Sequence, residues 1–401
     1  MYIWQRPDWP SFRFDSTAAL PELAEAHRAL GELEGQAHAI GMDAANQVTL
    51  DAFSKEVVAT AAIEGEALAA EVVRSSVMRR LGLSDEGVAD RHVDGLVDIV
   101  NDAVTALDQP LDEDRLCRWQ SALFPGGTSG IVRIAVGRYR DHEDPMQIVS
   151  GQPGREVVHY QAPPSHAVRA EMERFLAWFA DTTPSRLLTS DRVATPLDGL
   201  ARAAIAHLWF ESIHPFEDGN GRLGRAVMDL ALAQHQGGSV RLYSLSGQLL
   251  ASRKAYYDQL NQAQRGDLDV TAWIRWLVQQ FAAACRHATG VIRSALVKRA
   301  FWDQHAHQMT QERQRKVVQR LLDDGDGGFQ GGLNADKYMK MTGTSKATAT
   351  RDLMALVAAG VLRSSGAGRA VRYYVNVPGW THGIDQSSTA PPADSSAQSS
   401  S

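Results

Sequence analysis

The chain has 401 residues, 44% of them apolar, with a net charge of −6 and two cysteines. That length predicts two or three domains, and the apolar fraction is enough to give them real cores. The charge excludes a global attraction to nucleic acid or membrane, the lack of a run of about 18 apolar residues excludes a helical span, and Cys117 and Cys285 point to thiols in a reducing cytoplasm rather than a disulfide framework.

Residues 1–40 open without a signal-peptide core. Trp4, Trp9, Phe12 and Phe14 form an aromatic arm, expected to pack on its own domain, and a helix carrying Leu23, Leu30 and Leu33 follows. Leu50, Phe53 and Val57 continue with helical spacing, and Gly65 supplies a stop. Thr60 and Glu64 then share one face of that helix. A glutamate in a last turn meets the negative end of the macrodipole, so Glu64 is expected to have a partner elsewhere. The run 200–211 also reads as a helix, and Pro215 prevents its continuation past His214.

Residues 214–225 supply a titratable imidazole, two carboxylates, a glycine turn and two arginines within twelve positions. Gly219, Asn220 and Gly221 tolerate positive φ, and their N–H groups can converge on an anion at the start of a helix marked by Leu223, Val227, Leu230 and Leu232. Arg222 and Arg225 lie three apart on that helix and suit phosphate oxygens. Asp218, beside the turn, suits Mg²⁺, and His214 can accept a hydroxyl proton near neutral pH. Glu217 reads as a solvated loop residue. Gly219 to Gly224 also fits G-x-G-x-x-G, but no hydrophobic strand precedes it and no acid lies near 236–240, so a dinucleotide fold is rejected.

The stretch His214-Pro-Phe-Glu-Asp218-Gly-Asn-Gly-Arg222-Leu-Gly-Arg225 resembles the signature of the Fic family of protein adenylyltransferases at every fixed position. Gly137-Arg-Tyr-Arg140 and residues 146–164 resemble that family's β-hairpin flap, and residues 256–267 its adenine-side segment. The resemblance covers about residues 1–290. It implies transfer of AMP from ATP to a protein Tyr, Ser or Thr hydroxyl. His214 would be the general base, Asp218 the Mg²⁺ ligand, and Gly219, Asn220, Gly221 and Arg222 the cradle of the α- and β-phosphates. Arg225 would hold the γ-phosphate, and Tyr256, Tyr257 and Gln264 would bracket the adenine; aromatics at helical spacing also read as core. Thr60-Ala-Ala-Ile-Glu64-Gly65 resembles the family's inhibitory motif and names Arg225 as the partner of Glu64. Glu64→Gly is then expected to switch the protein on. The flap near 146–160 would dock the target as an added strand, and a homodimer is implied.

From residue 311 the texture changes. Residues 311–375 carry eleven Lys or Arg against six Asp or Glu, a net of +5. Segments 311–322, 333–341 and 345–359 read as helices, with Thr342-Gly-Thr344 as a turn and a hairpin around Gly366 and Gly368. This resembles a winged helix-turn-helix in which Lys346, Thr348 and Arg351 face outward, a surface for DNA or for protein. The tail after Asp385 is expected to be disordered.

The expected architecture is thus mainly all-α: a Fic helical core with a β-hairpin flap plus a C-terminal winged helix-turn-helix. Residues 1–105 form an N-terminal helical domain, 106–295 the catalytic domain, 305–377 the winged helix and 378–401 the tail. The expected activity is an ATP- and Mg²⁺-dependent, self-inhibited adenylyltransferase in the cytoplasm. An ATP-sensing DNA-binding regulator and a deadenylating Fic enzyme stand as alternatives.

Overall fold

The computed structural model describes all residues except 40–41, 85–88, 151–156, 185–196, 239–240, 327–328, 330 and 382–401. The described residues are mostly helical, with three short two-stranded antiparallel sheets, and they form two compact units, 1–290 and 291–401. No described helix is long and apolar enough to cross a membrane. Both cysteines are free thiols.

The first unit begins with α1 (Ser16–Ala39), α2 (Met42–Ile63), α3 (Ala70–Arg80), α4 (Arg91–Thr105) and α5 (Glu113–Leu123). Two hairpins follow, β1 (Thr128–Ser129) with β2 (Val132–Arg133), and β3 (Gln147–Ser150) with β4 (Val157–Gln161). Then come α6 (Ser165–Asp181), α7 (Gly199–Ile213), α8 (Asn220–Gln236), α9 (Leu245–Ala251), α10 (Arg253–Arg265) and the long α11 (Thr271–His305), whose residues from 291 onward count with the second unit.

Every residue of α7 is buried, so this helix is the axis of the unit. Asp198 starts it by accepting the N–H groups of Leu200 and Ala201. α8 lies against it so closely that a Cβ on Gly199 would fall 2.3 Å from the His235 ring. α2, α4 and α5 pack on α8, while α6 and α10 pack on α7. The aromatic arm lies on its own unit: the Trp4 indole donates to the Gln161 carbonyl at 2.8 Å, and the Trp9 indole donates to Glu171 at 2.8 Å. Phe12 meets the Trp209 ring edge-on at 5.3 Å.

Leu50, Phe53, Val57 and Ile63 bury one face of α2. The same helix carries a buried acid, Glu56, which pairs with Arg241 at 3.0 Å and accepts from the Ser244 hydroxyl at 2.7 Å. Arg241 also donates to both oxygens of Asp229 on α8, at 2.7 and 3.0 Å. Three charges can be buried together only when paired and hydrogen-bonded in this way. The triad fastens α2 to α8 and to the start of α9.

In the second unit α12 (Glu312–Asp323), α13 (Ala335–Thr342) and α14 (Lys346–Ala358) precede the hairpin of β5 (Leu362–Ser365) and β6 (Arg372–Val375). α13 starts two residues later than the sequence pattern suggests, because Leu333 is drawn into a backbone bridge with Tyr373. Val317, Val318, Leu322, Leu353 and Leu356 centre its core. Asp352 accepts from Arg313 at 2.7 Å and from the Tyr338 hydroxyl at 2.9 Å, joining the three helices. Lys346 and Arg351 are exposed on α14. The expected disordered tail falls on residues 382–401, outside the described residues.

Candidate active site

α7 ends at Ile213 and α8 starts at Asn220, so the loop between the two central helices carries the polar cluster. His214 closes α7 with φ of 52°, which no other described non-glycine residue adopts with positive sign. Such a backbone costs on the order of 1–3 kcal/mol and persists only when its surroundings enforce it. Arg140 does so: its guanidinium donates to the carbonyls of His214 (2.7 Å), Ile213 (3.2 Å) and Pro163 (2.6 Å). Burial, with the Arg140 charge, pushes the His214 imidazole down to about 4. The ring is therefore neutral at physiological pH, the form a base requires.

The loop turns at Gly219 (φ 89°), where a Cβ would press on Leu123 at 2.9 Å. The Asn220 side chain staples it shut, accepting from the Phe216 N–H at 2.9 Å and donating to the Phe216 carbonyl at 2.8 Å. Asp218 accepts from the Ser129 hydroxyl and from the Gly219 N–H. Glu217 is not merely solvated: it accepts the Ala135 N–H at 2.9 Å and so ties the loop to the segment leading into Gly137.

A cavity of about 510 Å³ opens beside this loop. His214, Asp218, Gly219, Asn220, Gly221 and Arg225 line one side, and Tyr256, Tyr257 and Gln264 the other. Ile148, Val149 and His159 of the β3–β4 hairpin border the same space. Residues 110–232, which hold this loop, match the sequence profile described as Fic/DOC family.

The segment is a Fic/DOC domain.

Residues 2–83 match a second profile, a domain of unknown function, DUF4172. Among curated relatives, the protein adenylyltransferase fic-1 of Caenorhabditis elegans is 29% identical over 106 residues, covering 26% of this chain and 19% of that protein. A uridine 5'-monophosphate transferase of Xanthomonas campestris is 29% identical over 135 residues, covering 31% and 22%. The chain thus spans about a fifth of these relatives. A crystal structure of a Fic family protein from Desulfovibrio desulfuricans superposes with a TM-score of 0.52 at 19% identity, covering 90% of this chain and 97% of that one, which shows a shared fold.

Within the Fic domain the two arginines have separate company. Arg225 is buried and donates from Nε to the Thr60 hydroxyl at 2.7 Å and from Nη2 to the Thr60 carbonyl at 2.9 Å. Its Nη2 also meets Glu64 at 2.8 Å. Burial alone would lower the guanidinium's proton affinity, but the Glu64 carboxylate beside it outweighs that effect and raises it. Glu64 sits one residue past the end of α2, in a turn completed by Gly65 at φ 86°. Arg222 is not among the cavity-lining residues. It pairs with Glu66 at 3.2 Å and stands 3.5 Å from Asp218, with its guanidinium 5.2 Å from the Phe124 ring centre. Glu66 in turn meets His92, whose other ring nitrogen reaches the Leu123 carbonyl at 2.8 Å.

Tyr256 is buried, its hydroxyl bonded to His207 at 2.7 Å and its ring stacked on Trp276, so it serves core and cavity wall at once. Tyr257 is part-exposed and donates to the Ile63 carbonyl at 3.2 Å. Gln264 Nε2 and Asn261 Oδ1 both line the cavity buried and without a hydrogen-bond partner. One orphaned donor and one orphaned acceptor on the same helix, three residues apart, suit the edge of a heterocycle.

Sequence reasoning missed four residues here. Asn261 was hidden by the attention given to Gln264. Ser129 and Glu66 reach the loop from distant elements, although Glu66 directly follows Gly65. Glu211 carried the one usable signal, a lone acid in an otherwise apolar run three residues before His214. It is buried, its Oε2 lies 3.9 Å from His214 Nδ1, and its Oε1 has no hydrogen-bond partner. Burial, with Glu64 nearby, pushes its carboxyl up to about 8.

Proposed function

We propose that this chain transfers AMP from ATP to a protein hydroxyl and is held off by its own Glu64. One observation carries the reading: a single cavity joins a neutral buried imidazole, a glycine turn with its helix N-terminus, a buried arginine and an aromatic wall. In the reaction the target oxygen attacks the α-phosphorus of ATP and His214 Nε2 takes its proton. The bond to the β-phosphate oxygen breaks, and pyrophosphate leaves. Backbone N–H groups at 219–221 and the positive end of α8 face the phosphates. Tyr256, Tyr257, Asn261 and Gln264 border the base.

Asp218 is one part-exposed carboxylate on the cavity wall, and Mg²⁺ asks for one or two carboxylates beside phosphate oxygens and water. The residues fit, and the ion would there neutralise phosphate charge. Arg222, through Asp218 and Glu66, would orient this carboxylate rather than meet phosphate directly.

Glu64 occupies Arg225, the group suited to the γ-phosphate, so ATP would bind out of line and transfer would slow by about 100-fold. The β3–β4 hairpin would accept a target segment along its edge, and a homodimer accords with the resemblance. The test is intact mass after incubation with ATP and Mg²⁺. Glu64→Gly should gain one AMP, and neither the parent nor Glu64→Gly with His214→Ala should. Equal labelling of parent and Glu64→Gly would remove the brake. No labelling of the chain or of a cell extract by any variant would remove transfer.

A second reading rests on the basic surplus of the second unit and the exposed Lys346 and Arg351 of α14. Its helix–helix–helix–hairpin order fits a winged helix-turn-helix, and the chain would then sense ATP and bind DNA. Salt-dependent retention on a DNA site that survives His214→Ala, with no labelling anywhere, would favour it.

A further inference from the structure

We propose that Glu211 is the positioning residue that conditions the general base: once ionised, its carboxylate faces the Nδ1 side of His214 and holds the imidazolium formed as the target hydroxyl gives up its proton. This deepens the transferase reading and rests on it.

Three observations converge. Glu211 belongs to a helix buried on every side, and its Oε1 has no hydrogen-bond partner. A carboxyl there weakens the core compared with an apolar residue of the same size, so packing does not account for it. Its other oxygen lies 3.9 Å from His214 Nδ1, too long for a hydrogen bond but close for two charges on side chains as little exposed as these. Finally, Gly224 makes the room: a Cβ there would stand 2.3 Å from Glu211 Oε1.

The charged and titratable groups around the pair come from six segments. His207 lies on α7 itself, Arg225 on α8, Glu64 in the turn after α2 and Tyr256 on α10, while Arg140 and Asp218 face His214. Glu64 is the like charge that keeps Glu211 protonated beyond what burial does. The proposed brake would therefore act twice, occupying Arg225 and keeping the partner of the base neutral. During the step the hydroxyl proton passes to Nε2, Nδ1 keeps its own, and the positive charge is balanced by the Glu211 carboxylate.

The first test needs no turnover. In the full chain with Glu64→Gly and ¹³C-labelled histidine rings, the His214 resonance should move through an inflection between about pH 6 and 9 as Glu211 ionises. Glu211→Gln in the same background should erase that inflection. An unmoved resonance in the chain that keeps Glu211 would overturn the proposal. The second test is the pH profile of AMP transfer. In Glu64→Gly, kcat should rise with pH through the same ionisation. Adding Glu211→Gln should flatten the rise and lower kcat at pH 9 about tenfold, with KM for ATP within about twofold, since one unit of proton affinity is a factor of ten. A retained rise would overturn it. Absence of transfer from Glu64→Gly would sink the transferase reading and this role with it, whereas a silent His214 resonance would sink the role of Glu211 alone.

Discussion

A buried carboxyl makes stability depend on pH in a sense opposite to that of a surface acid. Glu211 takes up its proton more readily folded than unfolded, because burial and Glu64 both disfavour the charge. Its contribution is fully present below the unfolded carboxylate value and is lost as pH rises towards about 8. Glu211→Gln removes that dependence, so the variant's melting temperature relative to the parent should climb as pH goes from about 5 to 8. Thermal melts at four pH values would show it; a constant difference would mean that Glu211 stays ionised. At this scale the sequence was informative where chemistry is local. His214, Asp218 and the glycine turn are neighbours in the chain and in space, so their spacing alone marked them. Arg222 and Arg225 share a helix face by spacing, yet the structure sends them to different carboxylates, because which partner an arginine finds depends on a segment about 160 residues away.

The turn after α2 is a small element with two acidic tips. Glu64 reaches Arg225 and Glu66 reaches Arg222, so one bend of chain engages both arginines in the first turns of α8. His92 gives the second contact a pH window. Its hydrogen bond with Glu66 raises the imidazole and holds the carboxylate below its usual value. The pair therefore stabilises fully between the ordinary carboxylate and imidazole values; it weakens as pH climbs through the raised His92 value, or falls through the lowered Glu66 one. His92→Gln should destabilise the protein by on the order of 1 kcal/mol near pH 6 and by much less near pH 9, checked by chemical denaturation at both. Equal losses would show that only packing is at stake. The helix stop at Gly65 and the face shared by Thr60 and Glu64 could be read from spacing. Glu66 could not, since its meaning lies in a histidine from α4.

Across the whole molecule, the helical architecture was legible because amphipathic and fully apolar runs declare themselves, and so were the basic surplus and the hairpin of the second unit. The buried Glu56–Arg241–Asp229 triad was not, because nothing in three scattered charged residues distinguishes a core network from solvated surface. Glu56→Gln keeps the shape and removes one charge. It should cost about 3 kcal/mol, seen by calorimetry, and should raise AMP transfer by a chain that keeps Glu64 as α2 loosens. A destabilised variant with unchanged transfer would separate the triad from the brake.

That triad also decides what kind of machine this is. A lever pinned near its middle cannot lift away; it can only bend at its free end. With α2 riveted to α8 and α9 eight residues before Glu64, release of the proposed brake would be confined to the few residues around Gly65, leaving the apolar face of the helix in place. Under the proposed brake, the gap between the two states would then be set by the Glu64–Arg225 and Glu66–Arg222 ion pairs rather than by a helix interface.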